Sequence, residues 1–377
     1  MAISQVGVKR GGDPPHNHCR PSTVDHNRAQ EILHGDLPGS ARVAVMVIGG
    51  VGTHLNCLPA FRAIWEQFRP RVTLVTNYLL PHVADERSHH PFVFDEFDVE
   101  RVFVLAWKHW ARWEVQTESP KIPGSQDFII SLAPYPSDSV IKLAQIMSAK
   151  ESIGFGPGFT TAVEPQATRH SVEQIFELAT HCRPGLTLSA YVSNCRFPDE
   201  AMSFVRALRR DLPHRARIVT VHADGARRRM WEPRRFSNAL TRFLSTHADC
   251  YAFLVGGRSP FVYNINHNRI IPCYRIPLAW SAALVAHSDL FIGLDSSMLR
   301  FADLGRVPSV GLFGPRLPVE HGFLFSKNVT LQARGSMLSI SEPDVCESLD
   351  AIYSETVERQ SSSSQTALAG AVLEDHI

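Results

Sequence analysis

An α/β fold with parallel sheets, arranged as two domains facing each other across a cleft, is what this sequence predicts. Apolar runs of about 4–8 residues alternate with helix-period segments, and strands separated in this way pair in parallel. The alternation runs twice, on either side of the proline-bearing stretch DLPHRAR, which is the candidate hinge. At 377 residues the chain has room for two domains of about 100–200 residues. One ligand held in the cleft between them is the expectation.

Residues 1–40 are rich in Gly, Pro, His and Asn and read as a flexible arm. Its His16, His18 and Cys19 have too few partners nearby to form a metal site. RVAVMVI then reads as a buried strand, GGVGT as a glycine-rich loop and HLNCLPAFRAIWEQF as a helix with an apolar side. RVTLVTN is the next strand, so the opening resembles a mononucleotide-binding half, without the Walker Lys-Ser/Thr or the full GxGxxG. In RVFVLAWKHWARWEV, Trp107, Trp110 and Trp113 recur at helical spacing with Lys108, His109 and Arg112 between them. This predicts an amphipathic helix, half-buried or forming a wall that grips an anionic or amphiphilic partner. SQDFIISLAP and KESIGFG are strands; SDSVIKLAQIMSAK, HSVEQIFELATHC and PDEAMSFVRALRRDL are helices.

Beyond the hinge, RIVTVHA and CYAFLVGG are strands, and WEPRRFSNALTRFLSTH and PLAWSAALVAHS are helices. Arg227, Arg228, Arg229, Arg234 and Arg235 crowd a helix start, where cations oppose the macrodipole and a bound anion would offset them. In SDLFIGLDSSMLRFADLGRVPSVGLFGP, a strand ends at Asp295, Ser296 and Ser297 and a helix follows. Ligands sit at such strand ends, and the N–H groups of the helix start favour a diphosphate. EPDVCESLDAIYSETVE closes the domain, and RQSSSSQTALAG reads as a flexible tail. The expected boundaries are 1–40, 41–212 (first domain), 213–355 (second domain) and 356–377 (tail).

Composition narrows the function classes. A formal charge of +1 gives no reason to expect nucleic-acid binding. Seven scattered cysteines without a CxxC pair fit a reducing compartment. The first residues lack an apolar h-region, and no apolar run approaches the roughly 20 residues of a membrane helix. A cytoplasmic protein with at most peripheral membrane contact is expected.

Four stretches together, GVGTHLNCLPAFRAI, HADGARRRMWEPRRF, the LVGG strand end and DLFIGLDSSMLRFADLGRVPSVGLFGP, resemble the bacterial heptosyltransferases of glycosyltransferase family 9. The resemblance spans about residues 42–353 and implies the GT-B fold, two Rossmann-like domains facing each other across a cleft. It implies inverting transfer of a heptose-like sugar from an ADP-sugar to an acceptor, without metal or bound cofactor. The acceptor would be lipopolysaccharide core or, given the departures described next, a natural product. By position, Asp295, Ser296 and Ser297 would meet the donor sugar and diphosphate. Arg229 matches a family lysine on the phosphates, Asp224 and Gly225 match donor-contacting positions, and Ile276 would line the adenosine site.

Three positions depart from the pattern. Ser297 replaces the motif glycine, and Arg300 replaces the motif histidine while keeping a cation at the donor. Thr53 stands where the family carries the aspartate presumed to be the general base, and threonine has no pKa suited to that task. His54 as a substitute base, an acceptor that needs less help, or a sugar-nucleotide binder that has lost catalysis would each account for Thr53.

Overall fold

The computed structural model describes residues 41–77, 92–109, 112–116, 126–225, 229–256 and 267–374, with side chains of the last helix described to residue 358. The N-terminal arm with its His16, His18 and Cys19, as well as Trp110, Arg227 and Arg228, lies outside the described residues.

The first half is a six-stranded parallel sheet in the order β3-β2-β1-β6-β7-β8. Its strands are β1 (Val43–Val47), β2 (Val72–Asn77), β3 (Glu100–Val104), β6 (Phe128–Ser131), β7 (Glu151–Phe155) and β8 (Thr161–Val163). Every residue of β1, β2 and β6 is buried, as a parallel sheet covered on both faces requires. Helices α1 (Val51–Phe68), α2 (Asp138–Ile146) and α3 (Ser171–Cys182) cover it. His170 caps α3 by accepting from Val172 N–H at 3.3 Å.

The second half repeats the design in the order β11-β10-β9-β12-β13-β14. These are β9 (Arg217–His222), β10 (Cys250–Gly256), β11 (Ile270–Tyr274), β12 (Leu290–Leu294), β13 (Ser309–Phe313) and β14 (Asn328–Gln332). Its helices are α5 (Pro233–Thr246), α6 (Leu278–Ala286), α7 (Ser297–Leu304), α8 (Pro318–His321) and the closing α9 (Glu342–Glu374). Numbered within each half, both sheets run 3-2-1-4-5-6, the doubly wound Rossmann order. The strand order reverses between β1 and β6 in one half and between β9 and β12 in the other. Ligands bind outside the carboxyl ends of the strands at such a reversal.

The halves touch through α7. Phe301 stacks on Phe92 of the first half, centroids 6.0 Å apart and planes at 9°. Helix α4 (Asp199–Asp211) precedes the candidate hinge but packs on α6: Phe204 stacks on Trp280, and Arg209 bonds Asp289 at 2.7 Å.

Two expectations are corrected. In place of the expected amphipathic helix, β4 (Ala106–His109) and β5 (Arg112–Val115) pair as the two strands of an antiparallel hairpin. Cross-strand pairing of Trp107 with Glu114 and Lys108 with Trp113 outweighs the three-residue tryptophan spacing. The serine-rich stretch after residue 358 continues α9 to Glu374 instead of forming a loose tail. It contains no proline, and its Ala and Leu residues favour helix.

Candidate functional site

The two switch points face each other. On the first side, β1 runs into Gly49 and Gly50, and α1 begins at once with Val51, so Gly52 and Thr53 lie in its first turn. The buried Asn77 amide at the end of β2 clamps this corner. Gly49 N–H donates to Asn77 Oδ1 at 2.8 Å, and Asn77 Nδ2 donates to Gly49 C=O at 3.1 Å. A Cβ at Gly49, two residues before the helix, would come within 2.5 Å of Thr53 Cβ, so this corner is built around a glycine. Thr53 is half-buried at the cleft.

His54 points the other way. It is 0% exposed, lies edge-on to Phe94, and its Nε2 lies 3.3 Å from Val47 C=O and 3.2 Å from Thr76 Oγ1. Donation to the Val47 carbonyl fixes the proton on Nε2, and Nδ1 is then a buried acceptor without a partner among the described residues. Burial lowers its pKa to about 4, opposed by the Val47 bond. A base must reach the acceptor's proton, so this placement counts against His54 as the substitute base.

On the second side, Asp224, Gly225 and Arg229 follow β9, while Asp295, Ser296 and Ser297 follow β12. Arg229 Nη1 donates to both Asp295 Oδ2 at 2.9 Å and Asp295 C=O at 3.1 Å. Arg316, just past the Gly314-Pro315 turn, reaches the same Asp295 Oδ2 at 3.5 Å. Asp295 is 6% exposed and sits under both guanidiniums. Ser296 is the N-cap of α7, and its Oγ is buried without a partner among the described residues. Asp224 packs on Gly256, where φ is +153° and an added Cβ would meet Asp224 Oδ2 at 2.2 Å. Ile276 is half-buried in the turn after β11. The α7 start also meets the first half, because a methyl on Gly52 would lie 3.9 Å from Ser297 Cα.

Arg300 does not face this cleft, contrary to expectation. It is 6% exposed, its terminal nitrogens bond the carbonyls of His321 and Gly322, and Nη1 lies 3.3 Å from His170 Nε2. It braces α7 against the segment after α8. Asp303, 1% exposed, braces the same segment by accepting from the N–H groups of Leu324, Phe325 and Ser326. Of the arginine run, Arg235 bonds the carbonyls of Leu338 and Ile340 at 2.9 Å and anchors the closing segment, while Arg234 is exposed. Arg229 alone among the described arginines of that run reaches Asp295.

The hairpin adds a cation from the first half. Side chains alternate faces along a strand, so Ala106, Lys108, Trp113 and Val115 share one face, with Ala106 and Val115 buried. Trp113 on that face lies over Gly50, 3.7 Å from where a Cβ would stand. Lys108 is pushed below the ordinary lysine pKa by burial, then by Arg316 and Arg229, with Asp295 opposing. Arg316 escaped the sequence reading, and Lys108 entered it only as one cation of an expected amphipathic helix. The signal for Arg316 is a cation directly after a strand-end Gly-Pro, and for Lys108 it is the period-two alternation hidden beneath the tryptophan spacing.

Comparison with solved structures settles the architecture. A glycosyl transferase family 9 protein from Veillonella parvula aligns over 84% of this chain and 98% of its own, with a TM-score of 0.66 and 17% identity. This is the heptosyltransferase-like GT-B fold. Escherichia coli ADP-heptose lps heptosyltransferase II matches at 0.59 over 85% of this chain and 99% of its own, with 13% identity. Escherichia coli heptosyltransferase WaaC with ADP matches at 0.57 over 82% and 99%, with 15% identity. No family model and no curated protein matches the sequence. In this GT-B frame Asp224, Gly225, Arg229, Ile276, Asp295, Ser296 and Ser297 all follow the carboxyl ends of strands of the second sheet, and Ser297 meets Gly52, the neighbour of Thr53. No described helix is long and apolar enough to cross a membrane.

Proposed function

We propose that this protein is an inverting glycosyltransferase that moves a heptose-like sugar from an ADP-sugar to an acceptor. The supporting observation is the Arg229–Asp295–Arg316 group at the switch point of the second sheet, beside the start of α7. Guanidinium forks match phosphate geometry, and the N–H groups at a helix start add to the field. The choice of donor draws on the WaaC structures with ADP and with ADP-2-deoxy-2-fluoro heptose.

The reaction is a single in-line displacement. The acceptor nucleophile approaches from the first half, where Gly52, beside Thr53, lies against Ser297, and attacks the anomeric carbon. The bond to the diphosphate breaks, and the negative charge that develops on the leaving group is stabilised by Arg229, Arg316 and the start of α7. These fixed cations supply the compensating charge, so the reading is metal-independent. The acceptor is lipopolysaccharide core or a natural product.

Screening sugar nucleotides for thermal stabilisation tests this reading. A donor at 100 times its Kd adds about 2.7 kcal/mol, whereas a panel with no stabilising member overturns it. A second reading, a sugar-nucleotide binder without turnover, is favoured by Thr53 in the base position and by the burial of His54. Binding without transfer or hydrolysis would select it.

A further inference from the structure

The cleft carries three cations against two carboxylates. Arg229 and Arg316 contact Asp295, Asp224 lies at the same edge, and Lys108 of the hairpin is near enough to feel the charges of Arg316, Arg229 and Asp295, while Asp303 offsets Arg300. The excess positive charge is balanced when an anion lies between the cations, and a diphosphate diester carries a negative charge on each phosphate. Arg229 and Arg316 belong to the second half. Lys108 belongs to the first, on the face of the hairpin that turns with Trp113 towards Gly50. Lys108 is exposed and makes no ion pair among the described residues, so its ammonium is available to a ligand.

We propose that Lys108 is a donor-binding residue: the hairpin holds it over the diphosphate, which it grips from the first half while Arg229 and Arg316 grip it from the second. The proposal rests on the nucleotide-sugar reading of the cleft and adds to it a contact from the opposite half. A diphosphate held in this way links the halves, so donor binding also draws the acceptor side, with Gly50 and Thr53, against the anomeric carbon. The sequence order supports the same role, because the hairpin is inserted between β3 and β6, beside the first switch point.

Calorimetric titration of inorganic pyrophosphate, ADP and adenosine into the full-length protein and into Lys108→Ala, Lys108→Arg and Arg316→Ala tests this. Pyrophosphate and ADP should bind Lys108→Ala about tenfold or more weakly, as expected for loss of one charge-assisted contact. Adenosine should bind unchanged, Lys108→Arg should keep most of the affinity, and the unfolding midpoint of Lys108→Ala should match wild type. Unchanged pyrophosphate affinity in Lys108→Ala overturns the proposal, as does a wild-type protein that does not bind pyrophosphate. Wild-type protein that binds pyrophosphate in a Lys108-dependent way but binds no sugar nucleotide supports the Lys108 assignment and overturns the nucleotide-sugar reading.

Discussion

Arg229 holds Asp295 by two bonds from one nitrogen, to the carboxylate at 2.9 Å and to the backbone carbonyl at 3.1 Å. One residue follows β9 and the other follows β12, so the contact spans the switch point of the second sheet. It fixes the turn that leads into α7.

Arg229→Ala should therefore have two measurable effects. ADP affinity should fall by at least about tenfold in calorimetry, through loss of a charged contact. Unfolding free energy in urea should fall by about 1–3 kcal/mol, because the nearly buried Asp295 keeps only the longer Arg316 contact. Undiminished ADP affinity would remove Arg229 from the donor site.

Arg300 should behave differently, although it lies in the same motif. Its guanidinium is buried on the carbonyls of His321 and Gly322. Arg300→Ala removes these donors and leaves a cavity, and should cost about 2–4 kcal/mol in urea unfolding. A variant of wild-type stability with weakened ADP binding would return Arg300 to the cleft.

The strands and most helices were legible because their apolar runs are short, buried on both faces and separated by amphipathic helices, as in VAVMV and LFIGL. The carboxyl edge of the second sheet was legible for the same reason: Asp295 and Arg229 each follow a readable strand. What escaped was decided by side-chain contacts. Cross-strand pairing sets the hairpin of Lys108 and Trp113, whose period-two alternation is masked by the three-residue tryptophan spacing. The inward turn of His54 is set by the Val47 carbonyl, seven residues earlier, and by Phe94, and the burial of Arg300 by a segment some 20 residues further on. Neither of these last two leaves a local pattern in the chain.

Acid should destabilise the fold in a defined window. Burial lowers the pKa of His54, His170 and His222 to about 4 each, with Arg300 adding to the effect at His170. In the unfolded chain each titrates near 6.5. Between those values the unfolded state binds more protons, so stability falls as the pH drops from about 6.5 towards 4 and levels off below the folded pKa. Each histidine contributes a slope of up to about 1.4 kcal/mol per pH unit. Urea unfolding across this range should show it, and His54→Gln should reduce the slope by about one histidine's share. An equal slope in His54→Gln would mean that His54 is already protonated in the folded protein.

Thr53→Asp distinguishes the catalytic readings. This position lies in the first turn of α1, next to the Gly52 that meets Ser297, where a carboxylate is favoured by the helix dipole by about 0.3–1 kcal/mol. Aspartate is close to threonine in size, so the packing over Gly49 should survive and the melting temperature should change little. If the acceptor is a hydroxyl that lacks a base in the wild-type protein, turnover should rise by tenfold or more, within the roughly 10²–10⁴-fold range of general-base catalysis. The gain should appear as the pH rises through about 4, as the new carboxylate ionises. With an amine acceptor, whose neutral nitrogen attacks without prior deprotonation and sheds its proton to water after the C–N bond forms, the variant should match wild type at neutral pH. A variant that binds ADP normally yet transfers sugar to neither acceptor type would identify the protein as a binder whose loss of function reaches beyond residue 53, and would remove the glycosyl-transfer reading.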